Sequence, residues 1–169
     1  MTISIRRAKV EDSHLLSVAE QEIAETPGYF CSLPSELTEE SVINMIGSLE
    51  KINNGIYLVA EIEGQIVGHA FLKPLQVQTV SHVAELGLAV HQGWQEKGIG
   101  TALMKYLIEW AGKSGTIEKI ELNVRASNKR AIALYKKIGF IEEGRLKNRV
   151  KISTNNYIDD ILMALHIAR

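Results

Sequence analysis

At 169 residues the chain is long enough for one domain with a substantial core and too short for two of ordinary size. Hydrophobic residues at 46% against charged residues at 23% exclude a self-repelling, unfolded polymer. Lys and Arg number 19 and Asp and Glu 20, a formal net charge of −1, which lacks the basic surplus of a dedicated nucleic-acid binder.

No apolar run approaches the ~20 residues that span a bilayer. The first ten residues carry Arg6, Arg7 and Lys9 with no apolar stretch behind them, so they do not read as a secretory signal. Cys31 is the single cysteine and by itself forms neither an internal disulfide nor a metal cluster. These features predict a cytoplasmic protein with no membrane partner.

Ile3-Ser4-Ile5-Arg6 alternates apolar and polar and reads as a first strand. From Asp12 the spacing is helical, through Leu15, Leu16, Val18, Ala19 and Ile23, with Asp12 or Ser13 as the cap and an end before Pro27-Gly28. Residues 26–37 form an apolar loop holding two of the three prolines together with Tyr29, Phe30, Cys31 and Leu33. Thr38 opens a second helix whose inner face is Val42, Ile43, Met45, Ile46 and Leu49. The period then switches to two: 56–62 and 65–72 flank Glu63-Gly64, a tight hairpin turn. A longer strand covers 81–91, with Gly87 inside it marking a bulge or a close backbone approach.

An amphipathic helix follows over 98–113, with Ile99, Leu103, Leu107 and Trp110 along one side. A strand at 119–124, a helix at 128–138 and strands at 140–144 and 158–167 complete the chain. The prediction is a single α/β domain over 1–169 with a mixed central sheet. The step through the helix at 98–113 implies locally parallel pairing.

The stretch ELGLAVHQGWQEKGIGT, residues 85–101, joins an apolar strand to a helix through a polar turn. A helix start presents free N–H groups and the positive end of the dipole, and Gly98 and Gly100 keep side chains away from those amides. Such a turn suits phosphate groups, although a helix start that needs tight packing has the same glycines. GxxxxGK[ST] is absent, because Ile99-Gly100 follows Gly98. GxGxxG also fails, since Leu103 stands where the third glycine belongs. Neither ATP nor NAD is the natural ligand.

Gln95-x-x-Gly98-x-Gly100 between a strand and a helix resembles the diphosphate signature of the GNAT superfamily of N-acetyltransferases. Asn128-x-x-Ala131-x-x-Leu134-Tyr135-x-x-x-Gly139-Phe140 is similar to that superfamily's second motif, and 159–165 to its last strand. The resemblance implies a mixed central sheet of about six to seven strands flanked by about four helices. It also implies acetyl-CoA as co-substrate, with no metal. Gln95, Glu96, Lys97, Gly98, Ile99, Gly100 and Thr101 would meet the diphosphate. Leu88, Ala89 and Val90 would meet the pantetheine arm where a bulge splays two strands, with the Leu88 amide serving the oxyanion, and Asn128 and Tyr135 would complete the cofactor site. Many relatives have Arg-Gly where Gln95-Glu96 stands; Glu96 puts a negative charge near two phosphates unless it points to solvent, and Lys97 offsets it.

Moving an acetyl group to an amine requires a base for the amine, a donor for the oxyanion and an acid for the thiolate. Tyr135 is the candidate acid, since a phenol of pKa about 10 stays protonated at neutrality, although its stripe with Ala131, Leu134 and Ile138 also fits a core position. Glu85 is the candidate base, and it also reads as a solvated strand residue; His82 is the alternative. Asn128 doubles as a helix N-cap. Tyr29 and Phe30, with Glu85, are the predicted acceptor-binding residues; Glu22 and Glu25 are candidates for attracting a cationic amine, or are simply solvated. His69 and His91 read as surface or satisfied structural residues, without metal-site spacing.

The expected activity is acetyl transfer to the primary amine of a small metabolite by direct attack on the thioester. A protein N-terminus or lysine as acceptor, and a non-catalytic acyl-CoA-binding module, are the alternatives. Edge pairing or last-strand exchange leaves a homodimer open.

Overall fold

Among the described residues, seven strands form one sheet in the order β1-β2-β3-β4-β5-β7-β6. The strands are β1 (Ser4–Arg7), β2 (Ile56–Ile62), β3 (Gln65–Pro74), β4 (Val83–Val90), β5 (Lys119–Arg125), β6 (Ile141–Ser153) and β7 (Asn156–His166). Four α-helices accompany them among the described residues: α1 (Ser13–Ala24), α2 (Glu39–Glu50), α3 (Ile99–Ser114) and α4 (Lys129–Ile138). This computed structural model describes residues 1–168; Arg169, the last residue of the predicted domain, lies outside the described residues.

The period of two in β2 sorts its residues between the two layers. Ile56, Leu58 and Ala60 pack with Leu103, Met104 and Leu107 of α3, whereas Tyr57 and Val59 pack with Leu16 of α1 and Val42, Ile46 and Leu49 of α2. Thr38 caps α2 as its sequence foretold, its Oγ1 accepting from the Ser41 amide at 3.2 Å. Asp12 stands at the N-cap of α1 but makes no side-chain cap bond. Its carboxylate instead accepts from Arg6 at 2.8 and 3.0 Å and from the Lys9 amide at 2.7 Å.

Several expected boundaries move. A short 3-10 turn takes Gln78–Val80, and β4 begins at Val83 rather than 81. The strands expected at 140–144 and 158–167 are β6 and β7, a long hairpin closed at Asn155 with φ 60°. Residues 145–152 extend β6 beyond the expectation: Leu146, Val150 and Ile152 alternate with polar residues, but Asn148 interrupts the pattern, and the strand is the outer one, mostly exposed, with three register shifts against β7. The loop at 26–37 contains a 3-10 turn at Pro34–Glu36, with Tyr29, Cys31 and Leu33 exposed.

β4 and β5 run parallel and pair over just three positions, Val83↔Lys119, Ala84↔Ile120 and Glu85↔Glu121. Past Glu85 the two strands part. The β3–β4 register is unbroken from Gly68↔Val90 to Pro74↔Ala84, so the expected bulge at Gly87 is absent and the opening is a divergence between β4 and β5. The other possibility raised by that glycine, close approach, holds: the Phe71 ring lies over Gly87.

Candidate active site

The divergence leaves the β5-facing edge of β4 without a ladder from Leu86 onward. The Val83 carbonyl accepts from the Leu75 amide and the His91 amide donates to the Val67 carbonyl, each at 2.9 Å. Odd-numbered residues of β4 therefore bond β3, and the alternate residues Leu86, Leu88 and Val90 turn their N–H and C=O groups into the gap. The Leu88 amide is thus a donor aimed at open space. Such a row of amides and carbonyls is what an extended arm of amide groups requires.

A cavity of about 630 Å³ occupies the gap and is lined by residues from both layers. On the α3–α4 side it is lined by Gln95, Asn128, Ala131, Leu134 and Tyr135. On the α1–α2 side it is lined by Ile23, Thr26, Tyr29, Phe30, Asn123 and Arg125. Leu88, Ala89 and Val90 form the wall between the halves.

Gly98 caps α3 in the left-handed region at φ 80°, and the first helical bond runs from the Ala102 amide to the Gly98 carbonyl at 3.0 Å. The amides of Ile99, Gly100 and Thr101 precede that bond and have no acceptor within the helix. The two glycines do different work. A Cβ on Gly98 would meet nothing within 4 Å, whereas one on Gly100 would lie 3.0 Å from Leu134 Cδ2, so Gly100 lets α3 and α4 pack closely. Gln95 shapes the turn, its Oε1 accepting from the Gly93 amide at 3.0 Å. Glu96 is solvent-exposed with φ 62° and lies 3.8 Å from Arg130, and Lys97 sits over the Trp94 ring at 4.8 Å. The Glu96 charge is therefore turned outward. Glu96, Lys97, Gly98, Ile99, Gly100 and Thr101 are not part of the cavity lining; they form the turn and helix start next to it.

Tyr135 is both a core residue and a cavity residue. It is buried against Phe140, with ring centroids 5.6 Å apart, and it also lines the cavity. Burial pushes its phenol up to about 12, with Arg125 pulling the other way. Asn128 likewise does two things: Oδ1 accepts from the Ala131 amide at 3.2 Å, capping α4, and the residue lines the cavity.

Glu85 is exposed and stands at the last pairing position before the strands part, opposite Lys73 and beside Glu121, not on the cavity lining itself. His82 is also off the lining; its carbonyl accepts from the Glu118 and Lys119 amides at 2.8 and 3.3 Å. Glu22 and Glu25 are solvent-exposed, the Glu22 carbonyl accepting from Gln92 at 2.8 Å. Tyr29 and Phe30 are cavity walls, and their loop is held by Ser127, whose Oγ donates to the Gly28 carbonyl at 3.0 Å.

Sequence reasoning missed the β5 contribution, above all Asn123 and Arg125, because nothing local marks which strand lies across a gap. The parallel step through α3 was the available signal, since it makes β5 the neighbour of β4. His69 and His91 are buried rather than superficial, and satisfied: His69 Nε2 meets Glu20 and His69 Nδ1 meets His91 Nε2, both at 2.9 Å. A carboxylate only accepts, so His69 Nε2 donates to Glu20.

The acetyltransferase (GNAT) family matches residues 17–140, a span holding the gap, the α3 turn and Tyr135. The chain belongs to that family. Among GNAT relatives, L-amino acid N-acetyltransferase AaaT of Escherichia coli K12 is 38% identical over 107 residues, 63% of this chain and 65% of that protein. The [ribosomal protein bS18]-alanine N-acetyltransferase of the same strain is 40% identical over 81 residues, 48% of this chain and 53% of that protein. The chain spans less than two thirds of the length of these curated relatives. The GNAT fold is shared over the whole length with yncA of Salmonella typhimurium, solved with its cofactor acetyl-CoA: TM-score 0.89 at 19% identity, covering 100% of this chain and 96% of that one. No helix among the described residues is long and apolar enough to cross a membrane.

Proposed function

We propose that this protein transfers the acetyl group of acetyl-CoA to the primary amine of a small metabolite by direct attack of the amine on the thioester. The observation that carries the reading is the gap between β4 and β5, a cavity of about 630 Å³ lined from both layers, with unpaired strand amides on one wall and Tyr135 on another. Such a cavity lets two reactants meet in the middle, each held from its own layer.

Acetyl-CoA supplies an acetyl group already activated as a thioester. The amides of Ile99, Gly100 and Thr101 hold its diphosphate at the positive end of α3. Leu86, Leu88 and Val90 hold the amide-rich arm by their main chain, and the Leu88 N–H stabilises the developing oxyanion. Tyr135 keeps its proton at neutral pH and gives it to the departing sulfur. Glu85, at the closed end of the gap, takes the proton of the amine through a water. Tyr29 and Phe30 wall the acceptor side.

The likeness to AaaT supports a small amine acceptor, and the likeness to the bS18-alanine enzyme supports a second reading, a protein N-terminus. A thiol-release assay with acetyl-CoA separates them. We expect turnover with small amines and none above background with peptides bearing the same N-terminal residue. Turnover confined to peptides establishes the second reading. Tight CoA binding with no turnover of either acceptor removes catalysis altogether.

A further inference from the structure

Two charged residues line the cavity among the described residues, and they sit on opposite sides of the sheet. Arg130 belongs to the α4 side and faces the exposed Glu96 at 3.8 Å. Arg125 belongs to the acceptor side: it pairs in register with Asp160 of β7, and its β5 neighbours Leu122 and Val124 face the opposite layer with α3. Arg125 is 8% exposed, which is unusual for a guanidinium and needs a reason.

Its Nε donates to Asp160 Oδ1, and Asp160 is itself 3% exposed. The pair fixes one edge of the guanidinium. Nη1 and Nη2 have no protein partner among the described residues, yet neither is an orphaned buried atom; Ser13 Oγ alone has that status there. The two terminal nitrogens therefore reach open space, and the open space that Arg125 borders is the cavity. A planar fork of donors, clamped at one edge and open at the other, is built to receive a second carboxylate.

Charge along the acceptor floor has a direction. Glu85 and Glu121 are register partners at the closed end, where Lys119 pairs with Glu121 at 2.8 Å and Glu85 supplies the open negative charge; Asn123 is neutral, and Arg125 comes next on the same face of β5. Arg125 stands four strand steps beyond Glu121, about 13 Å. An α-amino acid carries its ammonium and carboxylate on one carbon, so with the carboxylate on Arg125 its amine points toward the Glu85 end without reaching it. The Leu88 amide lies on the facing strand between these ends.

Resting on the acetyltransferase reading above, the geometry points to Arg125 as the anchor for a carboxylate of the acceptor, which makes the acceptor class the free α-amino acid. A peptide N-terminus has no carboxylate next to its amine and leaves the fork unmet. Arg125 is then a specificity-determining residue that touches the substrate away from the reacting atoms.

The test uses the purified full chain, acetyl-CoA and the twenty common L-amino acids. Each acceptor that turns over is compared with its α-carboxamide and with a dipeptide carrying it N-terminally. We expect kcat/KM for the free acid to exceed both by about 100-fold, because a buried charged fork without its partner is costly. Arg125→Lys keeps the charge and loses the fork. It is expected to raise KM for the free acid about tenfold or more, and to lower kcat/KM for the free acid much more than for the carboxamide. Arg125→Met with Asp160→Asn removes the pair without leaving a buried orphan charge, and is expected to abolish the preference. If that double variant fails to fold by circular dichroism, the acid-to-amide ratio of the unaltered protein still decides. Equal turnover of acid and carboxamide, or equal losses on both with Arg125→Lys, overturns the anchor and leaves the acetyltransferase reading standing. Absence of turnover with every amine overturns both.

Discussion

The ring of Phe71 fills the space that any side chain at residue 87 would need. A Cβ on Gly87 would lie 2.2 Å from Phe71 Cε1 and 2.3 Å from Cζ. The two residues are register partners across β3 and β4, so the ring lies flat against the strand one position before Leu88. Phe71 is itself held by Tyr57, with ring centroids 5.5 Å apart. Glycine at 87 thus keeps β4 straight beneath an aromatic ring, and the Leu88 amide keeps its aim.

Gly87→Ala should therefore force the ring or the strand to move. We expect a loss of about 1–3 kcal/mol in urea unfolding, together with reduced turnover. In a Phe71→Leu background the same substitution should cost much less, because the smaller side chain leaves room. A double-mutant cycle measures this coupling directly. Strict additivity would mean that the ring does not govern this position.

Gly98 offers a cleaner separation of strain from ligand space. It has φ 80° with nothing within 4 Å of where a Cβ would stand. Gly115, at the other end of α3, shares both properties at φ 68°. Alanine at either position should cost about 1–2 kcal/mol of stability through left-handed strain. Gly98→Ala should in addition weaken coenzyme A binding about tenfold, because the added methyl enters the space before the helix amides. Calorimetry on both variants checks this. Matching coenzyme A affinities would place the diphosphate elsewhere.

What was readable in the sequence followed what is local. The glycine turn before α3, the Asn128 cap and Tyr135 each sit within one strand–turn–helix unit, where spacing and chemistry coincide. Gly100 was half read: its place in the motif was clear, but its contact with Leu134 comes from α4, a separate helix. Arg125 and Asp160 are 35 residues apart and meet because β5 and β7 become neighbours, which no period in either strand announces. β6 was read only over its first residues, 140–144, for a different reason. Leu146, Val150 and Ile152 alternate with Arg145, Lys147, Arg149 and Lys151, but Asn148 stands where the pattern wants an apolar residue, and the broken run left the rest of the strand unrecognised.

The buried histidine pair should make the fold sensitive to acid. Burial, and then the neighbouring His69, push His91 down from its usual 6.5 to about 3. An unfolded chain therefore takes up a proton at this site at higher pH than the folded one does. The resulting stability is fully present above about 6.5 and drains away as pH falls toward 3. The expected slope for this one site is about 1 kcal/mol per pH unit within that window. Urea unfolding of the unaltered protein and of His91→Gln, from pH 7 to 4, isolates the contribution. The two stabilities should converge on acidification, as the advantage of the histidine disappears. Parallel curves would show that His91 is not the titrating group.

Tyr135 carries the sharpest kinetic expectation. Its phenol is pushed up to about 12 by burial, so the proton it would donate is present throughout the neutral and mildly alkaline range. An unburied phenol would begin to lose that proton near pH 10. The rate should accordingly show no fall attributable to Tyr135 between pH 7 and about 10. Tyr135→Phe removes the hydroxyl and keeps the ring that packs on Phe140, so the fold and the cavity wall should survive. We expect kcat to drop about 100-fold or more with KM for acetyl-CoA nearly unchanged, the pattern of a group that acts in the transition state and not in binding. The loss should be smaller with an acetyl thioester whose thiol has a low pKa, because such a leaving group needs less help from an acid. If Tyr135→Phe leaves kcat unchanged with both thioesters, the sulfur receives its proton from another source and Tyr135 is a packing residue alone.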